Sequence, residues 1–217
     1  MNFEQARFNM IEQQIRPWLV SDQHTLDLID KIHREDFVPK QYKQLALADT
    51  RIPLLRDQVT MTPKVEARLL QSLAIKSHDN ILEIGTGCGY LTALLANSGN
   101  SVHSIDVYHE FVDHAKPIFE NYGLNNIELI CGDAIDGWET SKSYDVIVLT
   151  GSVPILKDHF QKQLNAGGRL FVIVGQSPAM EARLITKNDS DSYSTEVLFE
   201  TDLPALVGAP EPDRFRF

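Results

Sequence analysis

Between residues 80 and 174 short apolar strands alternate with helical segments, and this rhythm narrows the fold more than any other feature of the chain. Asn80 to Ile84 reads as a strand, Tyr90 to Ala96 as the start of a helix, Val102 to Asp106 as a strand and His109 to Tyr122 as a helix. Ile127 to Ile130 and the β-branched run Tyr144 to Leu149 are further strands. Pro154 to Leu164 suits a helix, and Arg169 to Val174 is a strand after the turn Asn165-Ala166-Gly167-Gly168. Alternation of this kind builds a parallel sheet with helices on both faces. Beyond it, Glu181 to Thr186 and Thr195 to Thr201 read as an antiparallel pair around the polar loop Lys187 to Ser194. The end, Leu203 to Phe217, is proline-rich and reads as mostly extended, with Arg214-Phe215-Arg216-Phe217 as a docked edge segment.

The first eighty residues have a different rhythm. Phe3, Ala6, Met10, Ile11 and Ile15 recur at helical spacing until Arg16-Pro17. Asp22 stands where a cap would, ahead of a helix striped by Leu26, Ile29 and Ile32 that closes at Pro39. A shorter helical stretch, Gln41 to Ala48, precedes an irregular segment, Asp49 to Met61. Thr62-Pro63 then reads as an N-cap followed by proline at the first helical position, opening a helix through Leu73. With 217 residues, the expected organisation is a helical extension over residues 1–78, packed on a ligand-binding α/β unit over 79–217.

Within the alternating region, Ile81-Leu82-Glu83-Ile84-Gly85-Thr86-Gly87-Cys88-Gly89-Tyr90 runs from strand to helix through three glycines. Glycines allow a sharp turn and close approach of a ligand, and the following helix N-terminus favours an anionic group. The third glycine of a dinucleotide fingerprint would stand at Tyr90, which counts against NAD and FAD. Glu83, two residues before the first glycine, suits a ligand with an ammonium group. Asp106, at the end of the next strand, suits a ribose diol. Gly132-Asp133-Ala134 supplies a small polar turn where an adenine would lie. Each piece has a plainer reading: a tight turn for the glycines, a common acidic strand end for Asp106, an ordinary turn residue for Asp133. Together they favour S-adenosylmethionine, which carries an α-amino group, a carboxylate and a free diol. The candidate cofactor-binding residues are Glu83, Gly85, Thr86, Gly87, Gly89, Asp106, Val107, Asp133, Ala134 and Thr150.

Composition narrows the partners. Lys and Arg number 20 against 30 Asp and Glu, a formal net charge of −10, with the basic residues scattered singly. Such a chain repels polyphosphate, so nucleic acid is not an expected partner. No apolar run approaches a membrane span, the strongest being Leu170 to Val174, and Met1 to Met10 lacks a secretory apolar core. A cytoplasmic location is expected. Cys88 and Cys131 make neither a C-x-x-C pair nor a metal spacing and read as thiols serving as small, partly buried fillers. His109 and His114 are not spaced as ligands on one helix face, and no metal is expected.

At this level of detail the chain resembles class I methyltransferases, and more narrowly the protein-L-isoaspartate O-methyltransferase family. The resemblance is carried by Glu35-Asp36-Phe37-Val38-Pro39, Ala48-Asp49-Thr50-Arg51-Ile52-Pro53-Leu54 and Gln58-Val59-Thr60-Met61-Thr62-Pro63 with Val65-Glu66-Ala67-Arg68. It continues through the glycine loop, Tyr144-Asp145-Val146-Ile147-Val148-Leu149-Thr150 and Leu164-Asn165-Ala166-Gly167-Gly168-Arg169-Leu170. It implies a Rossmann-like methyltransferase sheet with a helical N-terminal extension and an antiparallel C-terminal strand pair. It also implies S-adenosylmethionine as methyl donor, S-adenosylhomocysteine as product, and a damaged peptide or protein carboxylate as acceptor, the start of protein repair.

Two departures from the family pattern bear on the acceptor. Members usually carry a threonine-isoleucine-serine run whose serine contacts the substrate; aligned without gaps, that serine falls on Met61 and the threonine on Val59. Thr60 and Thr62 flank the position, on the opposite face of an extended segment. The family's alanine-rich turn is here Thr150-Gly151-Ser152-Val153-Pro154, so Ser152 is a candidate replacement hydroxyl. Thr60, Met61, Thr62 and Ser152 are therefore the acceptor-pocket candidates. A methyltransferase for a different small-molecule or protein acceptor, or a cofactor-binding module without isoaspartyl activity, are the competing readings.

Overall fold

The structure, a computed structural model, describes residues 2–139, 141–189 and 192–211; Arg214 to Phe217 lie outside them. Helix α1 (Phe3–Met10) is capped by Asn2, whose side chain accepts from the Gln5 amide. It passes into a π-helical turn at Ile11–Ile15 and a tighter turn at Arg16–Trp18, ended by Leu19 in a left-handed conformation. Helix α2 (Gln23–Lys31) starts where Asp22 accepts the Thr25 amide at 2.8 Å. It stops eight residues short of Pro39, because Ile32 is already extended and the next turn, Arg34–Asp36, carries Arg34 into the interior. The stretch after Pro39 is likewise a tight 3₁₀ turn, Lys40–Leu45. Helix α3 (Pro63–Leu73) has proline in its first turn, where a missing N–H costs nothing, but the Thr62 side chain does not cap it: the Val65 and Glu66 amides go to the Thr62 carbonyl instead.

The sheet has seven strands: β1 (Asn80–Ile84), β2 (Ser101–Asp106), β3 (Ile127–Cys131), β4 (Tyr144–Val153), β5 (Leu164–Gln176), β6 (Ala179–Lys187) and β7 (Tyr193–Thr201). Their order is β3-β2-β1-β4-β5-β6-β7, parallel through β5 and antiparallel for the last two pairs. Helices α4 (Tyr90–Ser98) and α5 (His109–Asn121) follow β1 and β2. The chain order reverses between β1 and β4, and that reversal opens a crevice beyond the strands' carboxyl ends.

One expected helix shrinks. Residues 154–164 contain a single turn, α6 (His159–Lys162). The preceding chain is used differently: β4 runs on to Val153, and Ser152 bridges to Ala205 of the C-terminal segment. That segment is also less extended than expected, turning at Val207 and Gly208.

Helices α1 to α5 and one face of the sheet share a single apolar cluster that runs from Met10 and Ile29 through Leu69, Leu94 and Phe119 to Phe171. Leu82, Ile84, Ile147, Leu170 and Phe160 pack on the opposite face. Because strand side chains alternate, Glu83 points with Ile81 toward α4, away from Leu82 and Ile84. The cysteines separate: Cys88 is buried, with its thiol pushed up to about 11 by desolvation, whereas Cys131 is exposed at the end of β3.

Candidate functional site

The crevice is walled by four stretches that are distant in sequence. The loop after β1 contributes Gly85 and Gly87, the end of β2 contributes Asp106 to Tyr108, the turn after β3 contributes Gly132 to Ile135, and β4 contributes Thr150 and Gly151. Gly85 has φ +99 and donates its N–H to the Ile105 carbonyl at 2.7 Å. Thr150 Oγ1 stands directly against it, donating to the carbonyls of Ile84 (3.0 Å) and Gly85 (2.7 Å), so that a Cβ here would collide with the hydroxyl. A Cβ at Gly87 would meet only Leu54, at 3.6 Å, which leaves that backbone bare toward the crevice.

Asp106 anchors the opposite wall. Its Oδ2 accepts the Gly87 amide at 2.9 Å and its Oδ1 the Tyr108 amide at 3.0 Å. Each oxygen keeps lone pairs for a ligand, which is what a vicinal diol requires. Burial raises this carboxyl above the usual range, and the amide donors oppose the rise. Val107 is 40% exposed at the rim. Asp133 holds its turn by accepting the Ile135 amide at 3.0 Å, and Ala134 is buried beside it.

Three of the expected cofactor residues do not face the crevice. Glu83 is fully buried beneath the loop, where the hydroxyls of Thr92 and Ser104 each donate to its Oε2 at 2.6 Å. It therefore does not meet a ligand ammonium directly, since strand alternation points it at α4. Burial pushes its carboxyl up to about 8, so at neutral pH it is mostly protonated. Thr86 lies in the same layer, its hydroxyl 2.7 Å from that of Ser104. Gly89, at φ +85, lets α4 approach α5, because a Cβ would stand 3.0 Å from Ala115 and Phe119.

The acceptor candidates also separate. Thr60 Oγ1 accepts from Arg34 Nη2 (2.9 Å) and the Ile52 amide (3.0 Å), inside a network in which Arg34 also binds Glu66 and the carbonyls of Ala46 and Met61. Ser152 does not supply a free hydroxyl. It is fully buried, and its Oγ donates to the Leu203 carbonyl at 2.7 Å while its backbone pairs with Pro204 and Leu206. Met61 and Thr62 line a second cavity of about 270 Å³ with Trp18, Arg51, Lys64 and Leu203. Leu203 also lines the first crevice, so the two cavities have that wall residue in common.

Two further wall segments carry no ligand signature in the sequence. Leu54, Gln58 and Val59 face the crevice, held by a turn in which Arg56 and Asp57 both have positive φ and Arg56 pairs with Glu110. Leu203 to Val207 close the other side, with Leu206 packed over Gly85 and Gly151. Only the run of family-like residues 48–63 hinted at the former; nothing periodic marks the latter.

Residues 5–208 match the family model described as protein-L-isoaspartate (D-aspartate) O-methyltransferase. The chain belongs to that family. It is accordingly an S-adenosylmethionine-dependent methyltransferase, and the bare Gly87 backbone and the open lone pairs of Asp106 fit that cofactor. Among its relatives, protein-L-isoaspartate O-methyltransferase 2 of Pelobacter propionicus is 32% identical over 209 residues, covering 96% of this chain and 93% of that one. Two solved structures share the fold. One, a protein-L-isoaspartate O-methyltransferase, superposes with a TM-score of 0.74 at 24% identity; 94% of this methyltransferase spans 66% of its length. The other is a Plasmodium falciparum candidate protein-L-isoaspartate O-methyltransferase in complex with S-adenosyl-L-homocysteine, with a TM-score of 0.78 at 17% identity over 95% of this chain and 98% of that one.

Proposed function

We propose that this methyltransferase esterifies the carboxylate of an isoaspartyl residue in a damaged peptide or protein, in the cytoplasm. The observation that carries the proposal is a second cavity that Met61 and Thr62 line and that shares Leu203 with the crevice, a place for an acceptor beside the cofactor. Asp106 holds the ribose hydroxyls; Gly85, Gly87 and Thr150 line the amino-acid end; Val107, Asp133 and Ala134 border the base. Glu83, Thr86 and Gly89 shape the loop from below. The cofactor supplies an electrophilic methyl group on a sulfonium.

An acceptor carboxylate, with a pKa near ~4, is already ionised at neutral pH and needs no general base. The protein's part is to orient and to exclude water, and alignment alone supplies up to ~7–11 kcal/mol. Leu206 over Gly85 and Gly151, and Leu54 over Gly87, are the apolar groups that dry the crevice. Among the described residues no helix is long and apolar enough to cross a membrane.

The test is transfer of labelled methyl from S-adenosylmethionine to an isoaspartyl peptide, with the aspartyl peptide as control. A base-labile methyl ester on the isoaspartyl peptide alone is expected. No transfer by a preparation that binds S-adenosylhomocysteine would overturn the proposal. It would then favour a different acceptor, the reading to which the apolar Met61 side chain lends weight.

A further inference from the structure

We propose that the hairpin 53–59 is the gate of the cofactor crevice, latched by Arg56 onto Glu110 and Tyr108, and that it opens by withdrawing Leu54 and Leu55 into an apolar groove beside it. The crevice encloses about 90 Å³, whereas small-molecule sites run to ~300–1,000 Å³. It is smaller than both its neighbours, since the Met61 cavity has about 270 Å³ and the groove beside the hairpin about 300 Å³. Admission of S-adenosylmethionine therefore requires a wall to withdraw.

Two walls are candidates, and they are fastened differently. Leu203 to Val207 are sewn to β4, because Ser152 binds the carbonyls of Leu203 and Pro204 and accepts the Leu206 amide. The base of the hairpin is also fixed: the Thr60 amide donates to the Ile52 carbonyl at 3.0 Å, and Arg34 holds the Thr60 side chain. Its tip is not. The Leu54 amide donates to the Gln58 carbonyl at 2.8 Å and the Gln58 side chain to the Arg56 carbonyl at 3.0 Å, so both bonds stay within the tip. Among the described residues, Arg56 alone ties residues 54–58 to the rest of the chain through a polar group. Its Nε donates to Glu110 Oε1 at 2.9 Å, and its guanidinium lies 5.5 Å from the Tyr108 ring centroid. Tyr108 is itself a crevice wall, and its amide is the one that Asp106 Oδ1 accepts.

The tip is built to move. Arg56 and Asp57 have φ +57 and +56, a left-handed conformation that non-glycine residues keep only where their surroundings hold them. The Arg56 side chain is half exposed, so its ion pair is weak, screened by salt and readily broken. Room for the movement lies alongside. The groove is lined by Pro53, Leu54 and Leu55 of the hairpin and by Tyr42, Cys88 and Phe111 from elsewhere in the fold. Leu54 and Phe111 line the crevice as well. A close-packed fold lets an element swing only where there is free volume, and an apolar space takes up leucine side chains without stranding a polar group. Withdrawal of Leu54 uncovers the Gly87 backbone; its return covers it again.

The experiment measures S-adenosylhomocysteine association and dissociation by surface plasmon resonance at low and high salt. It compares the parent with Arg56→Met, Glu110→Gln, Tyr42→Trp and Ser152→Ala. Arg56→Met and Glu110→Gln are expected to raise both rates by about three- to tenfold, leaving affinity within about threefold of the parent. Salt speeds exchange in the parent and not in Arg56→Met. Tyr42→Trp, which fills the groove, slows both rates by about threefold or more at similar affinity. Should it fail to fold, Gln41→Trp fills the same groove from its exposed side. Parent-like rates and salt dependence in Arg56→Met overturn the latch. A faster dissociation with unchanged association makes Arg56 a binding contact and overturns it too. Parent-like rates in the groove-filling variant overturn the withdrawal path. Faster exchange in Ser152→Ala but not in Arg56→Met puts the gate at the C-terminal wall instead.

Discussion

The carboxylate of Asp106 and the amide of Gly87 are joined by a 2.9 Å hydrogen bond, so the end of β2 and the loop after β1 form one unit across the mouth of the crevice. On the proposed reading Asp106 has two roles: it holds the loop through the Gly87 amide, and its remaining lone pairs serve the ribose. Asp106→Ala removes both. It is expected to weaken S-adenosylhomocysteine binding by at least about tenfold, measured by calorimetry, since hydrogen bonds to a charged group are worth ~1.5–3 kcal/mol each.

Glu83 couples stability to pH in the direction opposite to a paired surface carboxylate. Burial lifts its carboxyl from the ordinary 4.5 to about 8 in the folded protein. Between those values the native state holds a proton that the unfolded chain has lost, so this group's contribution falls as pH rises from about 5 to about 8. Glu83→Gln mimics the protonated form and removes that slope, which reaches about 1.4 kcal/mol per pH unit. Urea unfolding at pH 5, 7 and 9 should show the variant gaining on the parent as pH rises. A constant difference between the two would exclude the assignment.

Arg34 ties three segments together, donating to Glu66, Thr60 and the carbonyls of Ala46 and Met61 while fully buried. Arg34→Met leaves Glu66 buried without its partner and is expected to cost roughly 3–5 kcal/mol in urea unfolding. The double variant Arg34→Met, Glu66→Leu should recover most of that loss, because it removes the stranded charge as well.

Ser152 is a clasp for the C-terminal segment. Ser152→Ala strands the Leu203 carbonyl and is expected to cost about 1–3 kcal/mol in chemical unfolding. Because Leu203 to Val207 form one wall of the crevice, S-adenosylhomocysteine affinity should fall in the same variant.

Much of the scaffold was legible in local pattern. Strands β1 to β3, the α4 and α5 segments, the Asp22 cap and the helix start at Pro63 are each encoded within a dozen residues, where hydrophobic period, proline and capping chemistry act without distant partners. The glycine loop and the strand-end carboxylate of Asp106 are likewise local properties, and the structure brings them together at one crevice. The helix expected over 154–164 was not legible as a single turn, since the extra β4 residues are held by a segment fifty residues away.

Which polar groups are spent and which are free was decided only in three dimensions. Glu83, Thr60, Thr62 and Ser152 look equivalent as polar residues beside the family motifs. Strand alternation and the facing α4 bury Glu83 under Thr92 and Ser104. Arg34 takes Thr60, and the returning C-terminal segment takes Ser152. Thr62 alone keeps an unpartnered hydroxyl. Hydrogen-bond partners separated by 21 to 51 residues are set by sheet register and chain return, and a one-dimensional pattern carries neither. The sequence by itself determined the architecture and the cofactor class; the tertiary structure decided which polar side chains the fold has already spent.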